Sequence, residues 1–156
     1  NSTSWERKHL ETIRCHYSKT PFFDMHFPWC EKVFNSDWNF LLDLSLETIQ
    51  YLKGELKINT PLLRSSELGD SGNKTERLIS ICKQLGATQY LSGDSARNYI
   101  SEKDFSDQGI ELEYQEYQHP EYPQRYEGFV PFLSTIDLLF NCGEKSMEFL
   151  KQTDCV

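Results

Sequence analysis

Apolar residues in this chain follow two rhythms, one of three to four residues and one of two, and the two-residue rhythm is confined to the middle. In the run from Lys74 to Tyr99, KTERLISICKQLGATQYLSGDSARNY, residues Leu78, Ile79, Ile81, Cys82 and Leu85 recur at helical spacing. Gly86 supplies a left-handed stop, and Ala87 to Leu91 alternates as a buried strand does. The pattern predicts helix, strand, a Ser92-Gly93-Asp94-Ser95 loop and a second helix, one αβα step of a layered sheet. Open α/β sheets place ligands past the carboxyl ends of their strands, and free N–H groups at a helix start favour a carboxylate or phosphate. Taken by itself, the same loop is first of all a plain turn with Asp94 or Ser95 as N-cap.

Helical spacing also dominates the first third. Thr3 and Glu6 form a capping box ahead of a helix whose Leu10, Ile13 and Tyr17 share a face and which ends near Lys19. Thr20-Pro21 places an N-cap and a first-turn proline before a second helix with Phe22, Met25, Trp29 and Val33 inward and Pro28 as a kink. A third runs from Trp38 to Lys53 on Leu41, Leu42, Ser45, Ile49 and Leu52, closed by Gly54. Beyond it, Ile58 to Ser66 reads as a strand entered through Pro61, and Gly69 to Asn73 as a loop. Ile110 to Tyr117 alternates most cleanly of all, with Ile110, Leu112 and Tyr114 against Glu111, Glu113 and Gln115. Two prolines make His119 to Gln124 an extended loop. Phe129, Phe132, Leu133, Ile136, Leu139 and Phe140 then mark a helix that Gly143 stops, with a further turn or two over Glu144 to Lys151.

These elements predict an α/β fold: a small, mostly parallel sheet of about three strands at 61–65, 88–91 and 110–116, flanked by helices, with an all-helical N-terminal portion. Residues 1–156 are expected to form a single domain, and because parallel sheets are usually larger, further strands are expected before Asn1.

Composition narrows the function. With 38% hydrophobic and 26% charged residues over 156 positions, the chain can bury a core. A net charge of −8 without a basic cluster argues against nucleic acid and anionic membrane surfaces, and no apolar run is long enough for membrane insertion. The five cysteines, Cys15, Cys30, Cys82, Cys142 and Cys155, are irregularly spaced, which predicts free thiols in a reducing, cytoplasmic setting. No metal motif is present: His9 and His16 share a helix face without further ligands, so no metal and no cofactor is expected. Nucleophile-elbow, P-loop and dinucleotide fingerprints are missing too.

What is left is a set of polar residues on loops that parallel strands would bring to one rim. Ser92, Gly93 and Asp94 follow one strand; His119, Tyr122 and Gln124 follow the next. Ser134, Asp137 and Asn141 form an i, i+3, i+7 stripe that is either a solvated face or a site. Asp137 with His119 is a candidate acid/base pair and Ser134 a candidate hydroxyl donor or nucleophile.

The run YLSGDSARNYI, the phrase HPEYPQRYEGFVPFLSTIDLLFNCG, and the earlier TPFF and KTERLISICKQLGA together resemble the WbqC-like family of bacterial proteins, from about Trp5 to Leu150. Members of that family usually carry a further amino-terminal half, so the resemblance implies that this chain is the C-terminal portion of a longer protein. It also implies a setting in O-antigen and other surface-polysaccharide synthesis, with a transferase role that extends to placing an amino-acyl group such as glycine on a sugar or nucleotide-sugar. Carried over to this chain, the pattern points to Ser92, Gly93, Tyr99, Tyr122, Gln124, Ser134, Asp137 and Asn141. The rival readings are a non-catalytic sugar- or partner-binding module, stacking ligands on Tyr114, Tyr117, Tyr122, Tyr126 and Phe129, and a nucleotidyl-transfer-like enzyme. Assembly as a homo-oligomer is compatible with all three.

Overall fold

The computed structural model describes residues 5–69, 72 and 74–151. The fold divides into two compact units, one of Asn1–Asn59 with Gln118–Val156 and the other of Thr60–Tyr117.

In the first unit the helical periodicity of the N-terminal third is realised as α1 (Trp5–Tyr17), α2 (Phe23–Phe34) and α3 (Leu41–Glu55). The capping box at Thr3 lies outside the described residues. Ile13 of α1 is buried against Phe27, Cys30 and Phe140, with Leu10 and Tyr17 at the edge of the cluster, as their spacing predicts. The Thr20 hydroxyl donates back to the Tyr17 carbonyl at 2.7 Å, so it closes α1 instead of capping α2. The buried stripe of α2 is His26, Phe27, Cys30 and Val33, and Met25 faces solvent. The predicted phase is off by about one residue because Phe27 and Cys30 fit the hydrophobic cluster that Ile13 and Phe140 complete. Gly54 lies inside α3, and the chain leaves that helix through Lys57, which takes a left-handed φ of 54°.

α3 buries no residue fully. Its Tyr51 ring stacks on Trp29 at 3.9 Å, the Tyr51 hydroxyl lies 2.7 Å from His26 Nδ1, and Glu47 pairs with Lys32 at 3.2 Å. His26 is 1% exposed, and its Nε2 meets no hydrogen-bond partner among the described residues. Burial therefore lowers its pKa below the ordinary 6.5, with Glu55 opposing that shift.

The unit is completed by α6 (Thr135–Cys142) and α7 (Ser146–Lys151). Every residue from Asp137 to Gly143 is buried, so the amphipathic pattern read for this helix gives way to burial all round. α6 also starts later than predicted: Phe129, Phe132 and Leu133 lie ahead of it in irregular chain. Gly143 ends α6 at φ 53°, and a Cβ there would run into the Phe22 ring. Only glycine meets both demands.

The second unit holds α4 (Thr75–Gln84), β1 (Gln89–Gly93), α5 (Glu102–Ser106) and β2 (Glu111–Gln115). The strands pair in parallel, from Gln89 opposite Glu111 to Gly93 opposite Gln115, as predicted. Ile79, Cys82, Ala96, Ile100, Phe105 and Ile110 make its core, with Tyr90 stacked on Phe105. Among the described residues the sheet has two strands, correcting the expectation of three. Residues 58–64 are exposed and irregular, ending in a 3-10 turn at Ser65–Glu67. Pro61 offers no N–H to a ladder, and Leu62 and Leu63 face solvent, so the segment has neither the donor nor the buried face that pairing requires. The helix expected after Ser92–Ser95 is likewise a five-residue 3-10 turn, Asp94–Asn98; α5 follows, its Ser101 hydroxyl accepting the Asp104 N–H.

Two stability outcomes follow from these contacts. Gly143→Ala should cost roughly 2–4 kcal/mol in urea unfolding, through a strained backbone and the clash with Phe22; an unchanged midpoint would contradict the packing. His26 is neutral when folded, so the unfolded chain gains its proton first. As pH falls below 6.5 the native state should lose stability, and the loss should level off once folded His26 itself protonates. Midpoints measured from pH 8 downward should show a smaller decline in His26→Gln than in the wild type.

Candidate functional site

Asp137 sits in the first turn of α6 and is 5% exposed. An unpaired buried carboxylate would be costly, and this one is not unpaired. Its Oδ2 accepts the Tyr122 hydroxyl at 2.9 Å and the Gln124 amide at 3.1 Å. Burial first, and then the nearby charge of Asp137, push the hydroxyl pKa of Tyr17 of α1 up. Burial, together with Asp137, holds Tyr122 up at about 12, so Tyr122 stays protonated and donates. Asn141 donates to the Asp137 carbonyl one turn later, at 2.8 Å.

Gln124 extends this network into the chain ahead of α6. Its Nε2 donates to the Val130 carbonyl and its Oε1 accepts the Val130 N–H, each at 2.9 Å. With the bond to Asp137, both amide protons and the oxygen are in use. Tyr122, Gln124, Asp137 and Asn141 are thus a holding layer whose bonds tie Tyr122, Gln124 and Val130 to α6.

The layer displays other groups. His119 is half-buried beside Tyr122, Phe129 and Phe132, with ring centroids 6.0, 5.7 and 5.0 Å away. Its Nδ1 lies 2.9 Å from the Pro120 carbonyl. A carbonyl only accepts, so Nδ1 carries the proton and a neutral His119 has its basic lone pair on Nε2. Phe132 is 76% exposed and adopts φ 60°, a conformation that costs a bulky residue about 1–2 kcal/mol. Ser134 is exposed at the N-cap of α6 and makes no side-chain cap bond.

The remaining predicted residues, Ser92, Gly93, Asp94 and Tyr99, belong to the other unit. Ser92 is buried within β1, Gly93 ends that strand, and Tyr99 is exposed. Asp94 binds Arg97 at 2.6 Å, and the Arg97 guanidinium lies over the Tyr114 ring at 4.0 Å. These ties within one short segment occupy Asp94 with a neighbouring cation. Of the aromatic residues expected to stack ligands, Tyr122 is buried, Tyr114 and Phe129 are half-buried, and Tyr117 and Tyr126 are exposed. Phe132 lies outside that set because its spacing reads as a buried helix position; its positive φ has no signature in the residue itself.

Thiol chemistry is disfavoured at the buried cysteines. Burial pushes Cys30 and Cys142 up to about 11, with the charge of Asp137 adding to the effect at Cys142, so both remain thiols at neutral pH. No group of three or more metal-ligating side chains that could hold an ion occurs among the described residues, and no helix among them is long and apolar enough to cross a membrane.

Comparison with known proteins places these features in context. The WbqC-like protein family matches residues 1–149. The uncharacterized protein Rv1507c of Mycobacterium tuberculosis (strain ATCC 25618 / H37Rv) is 31% identical over 153 residues, covering 97% of this chain, and the chain spans 66% of that relative's length. No solved structure matches the chain.

The holding layer predicts a measurable coupling. Tyr122→Phe should cost roughly 1.5–3 kcal/mol in the wild type, because the hydroxyl bonds a buried carboxylate, and about 1 kcal/mol less in an Asp137→Asn background. Additive effects in a denaturant-based double-mutant cycle would show that the pair does not interact as described.

Proposed function

The chain belongs to the WbqC-like protein family, and on that premise we propose that it acts as a transferase on a sugar or nucleotide-sugar in the synthesis of O-antigen or related surface polysaccharide, with an amino-acyl group such as glycine as the group moved. The reading assigns the protein to the cytoplasm, where nucleotide-sugars are assembled. The observation that carries it is the Asp137–Tyr122–Gln124 network, which ties Tyr122, Gln124 and Val130 to α6 and so braces the segment that carries His119 and Ser134. In this scheme His119 Nε2 takes the proton from the acceptor hydroxyl or amine as that atom bonds to the acyl carbon of an activated amino-acyl ester or thioester. It returns the proton to the alcohol or thiol that leaves when the donor's acyl bond breaks, the Nδ1–H bond to Pro120 fixing the tautomer. The Ser134 hydroxyl orients the same group, and Asp137 acts as a positioning residue. Ser92, Gly93, Asp94 and Tyr99 have no step in this scheme.

A second reading, a non-catalytic sugar-binding module, is favoured by the exposed Phe132 and Tyr126 rings. The two part at His119, which an enzyme needs for turnover and a module does not. In a strain lacking the gene, complementation with His119→Ala should reduce the modified sugar in purified polysaccharide at least tenfold, read by mass spectrometry, while the variant's melting temperature stays near that of wild type. Full modification by the folded His119→Ala protein would remove the transferase scheme.

A further inference from the structure

Phe132 is out of keeping with its surroundings. The residue is 76% exposed, its backbone sits at φ 60° where glycine or asparagine is more at ease, and Val130, Pro131 and Leu133 beside it are exposed as well. The segment is nevertheless pinned: Val130 is bonded at both backbone atoms by Gln124, and Gln124 by buried Asp137. The Phe132 ring meets His119 edge-on, 5.0 Å between centroids. A fixed, strained, solvent-facing ring gives the fold little stability, which directs attention to what it meets from outside.

Building on the sugar-directed reading above, we propose that Phe132 is the platform on which a pyranose ring of the substrate lies. The C–H face of a pyranose is apolar and flat enough to cover a phenyl ring, while the hydroxyls around its rim need polar partners. The His119 imidazole borders Phe132, and the exposed Ser134 hydroxyl follows two residues later. This combination of an exposed aromatic face with a polar edge matches a sugar better than a lipid chain, which would need no polar edge. An anionic bilayer is opposed further by the net charge of −8.

The test uses the full chain with Phe132→Gly, Phe132→Leu and Phe132→Trp. Glycine accepts the positive φ, so Phe132→Gly should melt no lower than wild type, which separates binding from folding. Binding is read by saturation-transfer NMR and calorimetry against methyl glycosides of glucose, galactose, mannose and N-acetylglucosamine, their uridine diphosphate sugars, and vesicles of phosphatidylethanolamine with phosphatidylglycerol. Phe132→Gly and Phe132→Leu should weaken sugar binding at least tenfold, and Phe132→Trp should retain it. Equal sugar binding by wild type and Phe132→Gly would overturn the platform while leaving the sugar-directed reading intact. Binding of vesicles but of no sugar in the panel would overturn both, as would capture of none of these probes by the wild type.

Discussion

The described fold of the first unit turns on a carboxylate that has been taken out of water. Burying Asp137 is worth little unless the protein returns the hydrogen bonds that solvent gave it, and Tyr122 and Gln124 do so. Both come from the proline-bearing loop, while Tyr17 of α1 stands near enough to feel the same group's charge. A single buried carboxyl thereby ties that loop to α6. Apolar packing around Phe140 supplies bulk stability to the same region, but packing tolerates substitution, while hydrogen bonds to one oxygen fix direction.

From this follows a division of labour among residues that look alike in sequence. Tyr122, Gln124 and Asn141 have the side chains expected of a binding site, yet each points inward and is already bonded. His119, Phe132 and Ser134 stand at or near the surface because those three are held from below. Treating a holder as a reacting group would misread its loss: removing a holder disorders the display and lowers stability together, whereas removing a displayed group changes binding or turnover in a folded protein.

How much of this could be read from the chain depends on how local the determining physics is. The parallel pairing of β1 with β2 followed from strict alternation at Leu112 and Tyr114 and from the helix-to-strand passage through Gly86, all signals within a few residues. Ile58 to Ser66 reads as a strand on apolar content alone, although Pro61 lacks the donor that a ladder needs. The phase of α2 was set at a distance, by Ile13 and Phe140 choosing Phe27 and Cys30 over Met25. Likewise the Ser134, Asp137, Asn141 stripe carried the right spacing, but only the tertiary fold shows Asp137 and Asn141 to be buried and Ser134 exposed. The exposure of Phe132 had no local precursor at all, since a left-handed phenylalanine looks in sequence like any other.

The most direct test of the central claim is hydrogen exchange at one amide. The Val130 N–H is bonded to Gln124 Oε1, and Gln124 in turn to Asp137, so its protection reports whether the buried carboxylate governs the displayed loop. The account predicts a protected Val130 amide in the wild type that exchanges at least tenfold faster in Asp137→Asn, with α4 amides unchanged. Identical Val130 exchange in the two proteins would mean that the loop keeps its shape without Asp137, and the account would be wrong.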